Sequence, residues 1–380
     1  MAKKKHRQKI RAEFKKRHQG RVRTSDLTRQ YQQSDDDVDL PSRERVSGKG
    51  ELTRRRTIVG EHLGDDVDGL GFDLNLDQPG LLRGRVLRVH GLNCVVRTDE
   101  GREYRCAVRQ LLKSISTEQR HVVAAGDLVA FRPEGEDQGI ILSIGTRHGV
   151  LSRTSRGKRH ILVSNVDFVF IIASASDPEL KPHLIDRFLV TAEQAGLEAV
   201  IVINKVDLVE PAEFLPAVGV YAQLGYQVIL TSAESGVGIS QLKQLIQGRQ
   251  SVFTGQSGVG KSSLLNAIQE GLGLRVQPIS EDNRKGKHTT TTAELIALDE
   301  GGFLMDTPGI RQLELWDVLP EEVAGLFRDI RPYVSHCRFP DCTHIHEVDC
   351  AVLAAVADNR IDPRRYNSFA HLFDEPTNSR

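Results

Sequence analysis

Two polar segments, each closing an apolar run, stand in an order that restricts the fold: Asn204-Lys205-Val206-Asp207 comes first and Gly255-Gln256-Ser257-Gly258-Val259-Gly260-Lys261-Ser262 second. The second is a complete Walker A loop, and the first has the form of a guanine-reading turn. Nucleotide-hydrolysing domains of this kind usually begin with the phosphate loop, followed by a magnesium-binding threonine and an Asp-x-x-Gly turn. The base-reading turn comes last. Here the order is rotated, so the chain must reach the same arrangement from a different starting point.

Each motif does a job that limits its residues. In the loop, the glycines let successive backbone N–H groups turn inward around phosphates, Lys261 brings a point charge to the β and γ groups, and the Ser262 hydroxyl suits Mg²⁺. The segment follows the short apolar run 251–254 and opens into Ser263-Leu264-Leu265-Asn266-Ala267-Ile268. The apolar spacing of that stretch predicts a helix whose N-terminus faces the anion. A chance glycine-rich turn would not come with this strand, loop and helix context.

The tetrapeptide ends the apolar run Ala199-Val200-Ile201-Val202-Ile203, which places its polar groups at the carboxyl edge of a buried parallel strand. The Asp207 carboxylate can there accept from the ring N–H and the exocyclic amine of guanine, a donor pair that adenine lacks. A buried acceptor left unpaired by the wrong base supports discrimination on the order of 10⁴. Thr231-Ser232-Ala233 follows a second apolar run, Val228-Ile229-Leu230, and has the form of the element whose backbone N–H meets the guanine carbonyl. Ser232 and Ala233 are its candidate contacts.

Downstream, Phe303-Leu304-Met305 leads into Asp306-Thr307-Pro308-Gly309. Asp306 fits the Walker B acid that holds Mg²⁺ through water, and the Gly309 N–H fits the γ-phosphate sensor. Between loop and acid lies His288-Thr289-Thr290-Thr291-Thr292; one threonine should close over Mg²⁺, and we assign Thr290. A solvated threonine-rich strand is the alternative for the run.

The flanks differ in pattern. From Leu81 to about Thr146 the chain reads as five short alternating strands with turn signals at Gly91, Asp99-Glu100-Gly101 and Glu134-Gly135-Glu136-Asp137. That predicts an OB-type β-barrel, a fold that binds nucleic acid on one face. Arg83, Arg85 and Arg88 could line such a face or be ordinary solvent positions. Scarce aromatics favour backbone and shape recognition over base stacking. Arg147, His148, Arg153, Arg156, Lys158, Arg159 and His160 make a basic stretch at the junction. Near the other end, Cys337, Cys342 and Cys350 cluster with nearby histidines, while Cys94 and Cys106 sit in strand patterns as core thiols. Three thiolates and one imidazole close a tetrahedral set, which suits structural Zn²⁺. From spacing alone the imidazole could be that of His336, His344 or His346.

The motif sequence together with this cysteine cluster resembles the ribosome small-subunit-dependent GTPase A family, circularly permuted GTPases of bacterial ribosome assembly. The resemblance spans about residues 80 to 355. It includes Ser164-Asn165-Val166-Asp167, Leu184-Ile185-Asp186-Arg187, Gly255 to Ser262, Gly286-Lys287-His288-Thr289-Thr290 and Asp306-Thr307-Pro308-Gly309. It implies a circularly permuted P-loop α/β GTPase domain at 148–319, an OB-fold RNA-binding domain at 80–147 and a zinc-binding helical domain at 320–380. Residues 1–79 form a charged extension read as disordered. It selects His344 as the fourth zinc ligand. It implies binding of the 30S subunit and 16S rRNA late in assembly, with GTP hydrolysis to GDP there and release. The alternatives are a GTPase acting on another RNA or the large subunit, and a nucleotide-gated RNA-binding scaffold.

Composition bounds the rest. Hydrophobic residues make up 39% of the 380, which indicates a folded chain with room for more than one domain. No apolar run approaches the ~20 residues needed to span a bilayer, and the basic start has no signal-peptide pattern. We therefore expect a cytoplasmic monomer with no membrane partner. The formal net charge is +0, yet twelve Lys or Arg lie between Lys3 and Arg29 against only Glu13 and Asp26. Such a tail cannot bury enough apolar surface to fold alone and suits phosphate backbones.

After Gly309 comes Ile310, where many GTPases carry the glutamine that orients the attacking water. An isoleucine cannot hydrogen-bond water, so intrinsic hydrolysis should be slow. His288 is the internal candidate for that job, the other reading being an exposed loop histidine. The chain runs on through Trp316 into the zinc domain, a route by which the γ-phosphate could bias that domain.

Overall fold

The computed structural model describes residues 8–13, 55–62, 72–73, 80–91, 93–108, 122–155, 158–272, 294–306 and 318–374, with 8–13, 55–62, 72–73, 153–155, 158–159 and 306 described in backbone only. The chain divides into two compact units, Met1–His62 and Leu63–Arg380. In the first, β1 (Gln8–Glu13) pairs antiparallel with β2 (Arg55–His62), setting Ile10 opposite Ile58 and Glu13 opposite Arg55. The rest of that basic tail lies outside the described residues.

The second unit opens with the short β3 (Phe72–Asp73). Next come β4 (Leu82–His90), β5 (Asn93–Thr98), β6 (Glu103–Val108), β7 (Leu128–Pro133) and β8 (Gln138–Ile144). They join in the order β4-β5-β6-β8-β7, and β7 pairs back onto β4 to close a five-stranded barrel. All neighbours are antiparallel except β6 and β8, the pairing expected of an OB-type barrel. Alternation builds it: in β6, Tyr104 and Cys106 point into the core while Glu103, Arg105 and Ala107 face out. Cys94 and Cys106 are buried and outside any disulfide, as their strand positions predict. Gly139 has no room for a side chain, since a Cβ would sit 2.8 Å from the Phe131 ring.

A hairpin, β9 (Leu151–Ser155) and β10 (Lys158–Val163), leads into the second sheet. Its strands are β11 (Phe168–Ser174), β12 (Glu198–Asn204), β13 (Gln227–Leu230), β14 (Gln250–Thr254), β15 (Glu294–Ala297) and β16 (Phe303–Asp306). The order is β13-β12-β11-β14-β16-β15, parallel throughout except for β15, which runs antiparallel to β16 and pairs on its other side with β4 of the barrel, Glu294 opposite Arg88. Continuous apolar runs are what such strands need, because both faces are covered. Val169 and Ile171 pack under α1 (Pro182–Gln194) and α2 (Pro211–Gln223), whereas Phe170 and Ile172 pack under α3 (Ile239–Ile246) and α4 (Lys261–Ile268). Proline in the first turn of α1 and α2 fits where an N–H would have no partner. Connections leave β11 and β14 toward opposite faces, and such a switch point is where open α/β sheets hold ligands.

Four C-terminal helices, α5 (Pro320–Leu326), α6 (Arg331–Val334), α7 (Ala351–Ala357) and α8 (Pro363–Asp374), gather Phe327, Ile330, Val352, Ile361 and Phe369 into a separate core that also takes Val190 from α1. Among the described residues no helix is long and apolar enough to cross a membrane.

The barrel meets the sheet across a buried polar seam. Arg147 grips Asp127 with two 2.7 Å hydrogen bonds, and the Ser164 hydroxyl donates to the same carboxylate at 2.6 Å. Asn165 Nδ2 donates to the Gly126 carbonyl at 2.9 Å, and Gln250 Nε2 to the Ser164 carbonyl at 2.6 Å. Gly126 has φ +92°, and a Cβ there would lie 2.1 Å from the Ser164 oxygen. The Ser164 to Asp167 motif is therefore a joint between modules. Two arginines weighed for a nucleic-acid face or plain solvent positions serve this joint: Arg85 binds the Gln250 side chain and stacks 5.0 Å from the Phe303 ring centroid, and Arg88 pairs with Glu294 at 2.6 Å.

Candidate nucleotide site and metal centre

The glycine loop begins where β14 runs out. Gly255 lies so close to β11 that a Cβ would sit 2.1 Å from the Ile172 oxygen, and its φ of +142° is open only to glycine. The loop is anchored from below by the buried Val259 and ends at Gly260, with Leu264, Leu265 and Ile268 fixing α4 beneath it. Lys261 Nζ donates to the Gly255 and Gln256 carbonyls at 2.7 and 2.6 Å, so the ammonium arches over the loop. Ser262 and Ser263 sit half-buried in the first turn of α4. Gln256 faces a small cavity beside α1, whereas Ser257 and Gly258 form the outer turn.

The tetrapeptide closes β12 one strand beyond β11. Asn204 is buried and its Nδ2 donates to the Val259 carbonyl at 2.9 Å. Gly260 must be glycine for that contact, because a Cβ would meet Asn204 Nδ2 at 2.3 Å. Lys205 takes a left-handed conformation, φ +62°, which breaks the strand and starts the single turn Val206–Leu208. Its ammonium donates to the Asp177 carbonyl. Asp207 stands on that turn, exposed where the sequence predicts a buried acceptor, because the left-handed Lys205 carries the chain out of the strand before it. The Thr231-Ser232-Ala233 segment is tied to the same place: Val206 N–H donates to the Thr231 carbonyl at 3.3 Å, and the Thr231 hydroxyl to Asn204 Oδ1 at 3.3 Å. Ser232 is held by its N–H to the Val237 carbonyl, with Ala233 half-buried behind it.

Met305 stands opposite Val252, so Asp306 ends β16 at the edge where the glycine loop leaves β14. Four separate segments of the chain thus reach one sheet edge. Thr290, His288 and Gly309 lie outside the described residues, as do the remaining residues of 273–293 and 307–317.

The cysteine cluster is equally compact. Ligand atoms of Cys337, Cys342, His344 and Cys350 all lie within 4.8 Å of one another. Cys337 Sγ stands 3.3 Å from His344 Nδ1 and 3.9 Å from Cys350 Sγ, and Cys350 Sγ is 3.6 Å from the same nitrogen. A tetrahedron with Zn–S bonds of ~2.3 Å and a Zn–N bond of ~2.0 Å has edges of about 3.8 and 3.5 Å, so donor set and spacing both fit zinc. Burial pushes the Cys342 thiol up to about 12, and a divalent cation would reverse that. Two supports were not legible in the motif. Glu347 accepts from the Thr343 hydroxyl and the backbone N–H groups of Thr343, Ile345 and His346, which holds its carboxyl far below the usual range and shapes the loop around His344. Tyr366 of α8 donates to the His344 carbonyl at 2.9 Å.

Known proteins agree with this arrangement. Residues 144–316 match the RsgA GTPase family. A protein of Sodalis glossinidius named small ribosomal subunit biogenesis GTPase RsgA is 39% identical over 298 residues, covering 77% of this chain and 85% of that one. Its namesake in Pseudomonas aeruginosa LESB58 is 40% identical over 311 residues, 80% of this chain and 88% of the relative. Among solved structures, YjeQ from Thermotoga maritima superposes with a TM-score of 0.64 at 35% identity, covering 77% of this chain and 97% of that one. YloQ, described as a circularly permuted GTPase, gives 0.59 at 29%, covering 79% and 96%. Rotated motif order, sheet order and similarity over most of the chain lead to one conclusion: the chain belongs to the RsgA GTPase family and is a GTP-hydrolysing enzyme with a circularly permuted G domain.

Proposed function

We propose that this enzyme acts in assembly of the small ribosomal subunit: it binds the 30S particle through 16S rRNA in the cytoplasm, hydrolyses GTP when the particle completes its site, and leaves with GDP. The observation that carries the nucleotide half is the Asn204 to Val259 hydrogen bond, which brings the base turn and the phosphate loop together. The ribosomal half rests on the relatives' names and on the joined barrel and cysteine modules. The working unit is a monomer of barrel, residues 80–147, G domain, 148–319, and zinc domain, 320–380.

In this reading Asp207 accepts from the guanine N–H donors, Asn204, Lys205 and Val206 shape the base pocket, and the Ser232-Ala233 backbone meets the guanine carbonyl. Amides from Gly255 to Gly260, with those of Lys261 to Ser263, cradle the phosphates, and Lys261 turns from the loop carbonyls to the β and γ oxygens. Ser262, Thr290 and Asp306 would hold Mg²⁺, which would neutralise charge on the phosphate oxygens. The Gly309 N–H senses the γ-phosphate, and His288 orients water in place of the glutamine that Ile310 replaces. Zn²⁺ at Cys337, Cys342, His344 and Cys350 is structural, since four protein ligands leave no open position.

If the particle completes the site, 30S subunits should raise single-turnover GTP hydrolysis at least ~10²-fold, a modest part of what an added transition-state group supplies. The stimulation should fall steeply with salt, and removing residues 1–30 should flatten that slope more than it lowers the rate at saturation. Equal stimulation by 50S subunits, or none by either, would contradict the small-subunit reading and favour a nucleotide-gated RNA-binding scaffold. Asp207→Asn should exchange GTP for xanthosine triphosphate as the preferred ligand; unchanged GTP binding would remove the base assignment. Protein purified without chelator should carry about one equivalent of zinc. Cys342→Ser should lose the metal and unfold the C-terminal module, because metal binding in small modules contributes ~10–16 kcal/mol of folding free energy. Less than about half an equivalent in the native protein would argue against the site.

A further inference from the structure

The C-terminal helices hold α1 at two points. Arg365 of α8, buried, reaches the buried Asp186 of α1 with one nitrogen and grips Asp329 through Nε and Nη2 at 3.1 and 2.9 Å. Its guanidinium lies 4.5 Å from the Phe327 ring centroid and 5.6 Å from that of Tyr221. Burial works against this charge, but Asp186 and Asp329 more than offset it, leaving the Arg365 pKa above its ordinary value. Two turns along α1, Arg328 Nε meets Glu193 Oε1 at 2.5 Å, with the guanidinium 3.9 Å above the Tyr226 ring. Val190, between the two grips, is buried in the C-terminal core.

The N-terminal end of the same helix borders the base site. The segment 175–181 that feeds α1 receives the Lys205 ammonium on its Asp177 carbonyl, and its Ala175 N–H donates to the Asn204 carbonyl at 2.8 Å. Lys181 and Leu184 face Gln256 and Val259 of the phosphate loop across a small cavity. A helix moves as a rod, so a shift at Asp186 displaces segment 175–181 and with it the side chain of Lys205.

We propose that Arg365 is a positioning residue for guanine-nucleotide binding, setting Lys205 through α1 and the Asp177 carbonyl. The inference rests on the reading of Asn204 to Asp207 as the base site. If the guanidinium fork is lost, two carboxylates face each other in a dry interior and α8 parts from α1. The base turn then loses the contact that holds Lys205 in place, while Lys261 keeps its hydrogen bonds to the Gly255 and Gln256 carbonyls. Affinity should change without the chemical rate.

Calorimetric titration of GDP and a non-hydrolysable GTP analogue into full-length Arg365→Lys tests this, with Lys205→Met and the double variant completing a cycle. We expect Arg365→Lys to raise both dissociation constants about tenfold, a size ordinary for coupled sites, with zinc content retained and the single-turnover rate at saturating GTP within about twofold. In the Lys205→Met background the Arg365→Lys effect should vanish, which a merely structural arginine would not produce. Arg328→Met, which removes the more exposed grip without stranding a buried charge, should move affinity in the same direction and answers the question if Arg365→Lys does not fold. Unchanged affinities in the folded variants, or effects that multiply as independent in the double variant, would overturn the proposal. A wild type with no preference for GDP over ADP would instead remove the base-site reading, and this inference with it.

Discussion

The amide of Asn204 donating to the Val259 carbonyl, buried at 2.9 Å, is the contact on which the nucleotide site depends. It joins a turn at the end of β12 to a loop at the end of β14 across the intervening β11, and the Thr231 hydroxyl extends the chain of bonds to a third segment. Removing one partner of a buried hydrogen bond costs ~1–3 kcal/mol, because the other is left dry and unpaired. This bond also shows why the rotated motif order is tolerated. Sheet order, and not chain order, decides which carboxyl ends are neighbours, so cutting the connection after β16 and starting the domain at β11 leaves the edge unchanged.

Two further modules attach to this sheet by the same physical means. The barrel offers Asp127, held in place by Arg147, to the Ser164 hydroxyl and sends Arg85 to Gln250 and Phe303, at the roots of β14 and β16. The C-terminal helices seat Arg365 between Asp186 and Asp329. Buried ion pairs of this kind add little net stability compared with apolar packing, but a single misplaced charge is costly, so they fix one docking geometry. Both attachments end on elements that lead to the nucleotide edge. Under the proposed function, an RNA surface engaging the barrel and the cysteine module would therefore act on that edge through these attachments.

The nucleotide motifs were legible because their chemistry leaves little choice of residue: Gly255 and Gly260 are required by contacts with Ile172 and Asn204, and Lys261 and Ser262 are what the proposed phosphate and metal contacts call for. The barrel was legible from alternation, as Tyr104 and Cys106 against Arg105 show. What could not be read were contacts between distant segments. Arg85 and Arg88 look like solvent-facing strand arginines until Gln250 and Glu294 arrive from far along the chain. Ser164 to Asp167 and Leu184 to Arg187 looked like family signatures without a task; their neighbours Asp127 and Arg365 supply it. Glu347 was hidden for a similar reason, since its partners are backbone amides that carry no sequence signal.

Titration of GDP into Asn204→Ala tests the central claim most directly. The account predicts an otherwise folded protein, with wild-type zinc content and circular dichroism, whose GDP affinity falls by at least ~10²-fold, or about 2.7 kcal/mol, because base turn and phosphate loop are no longer tied. Affinity within about threefold of wild type would show that the two elements hold their places without this bond and would contradict the account.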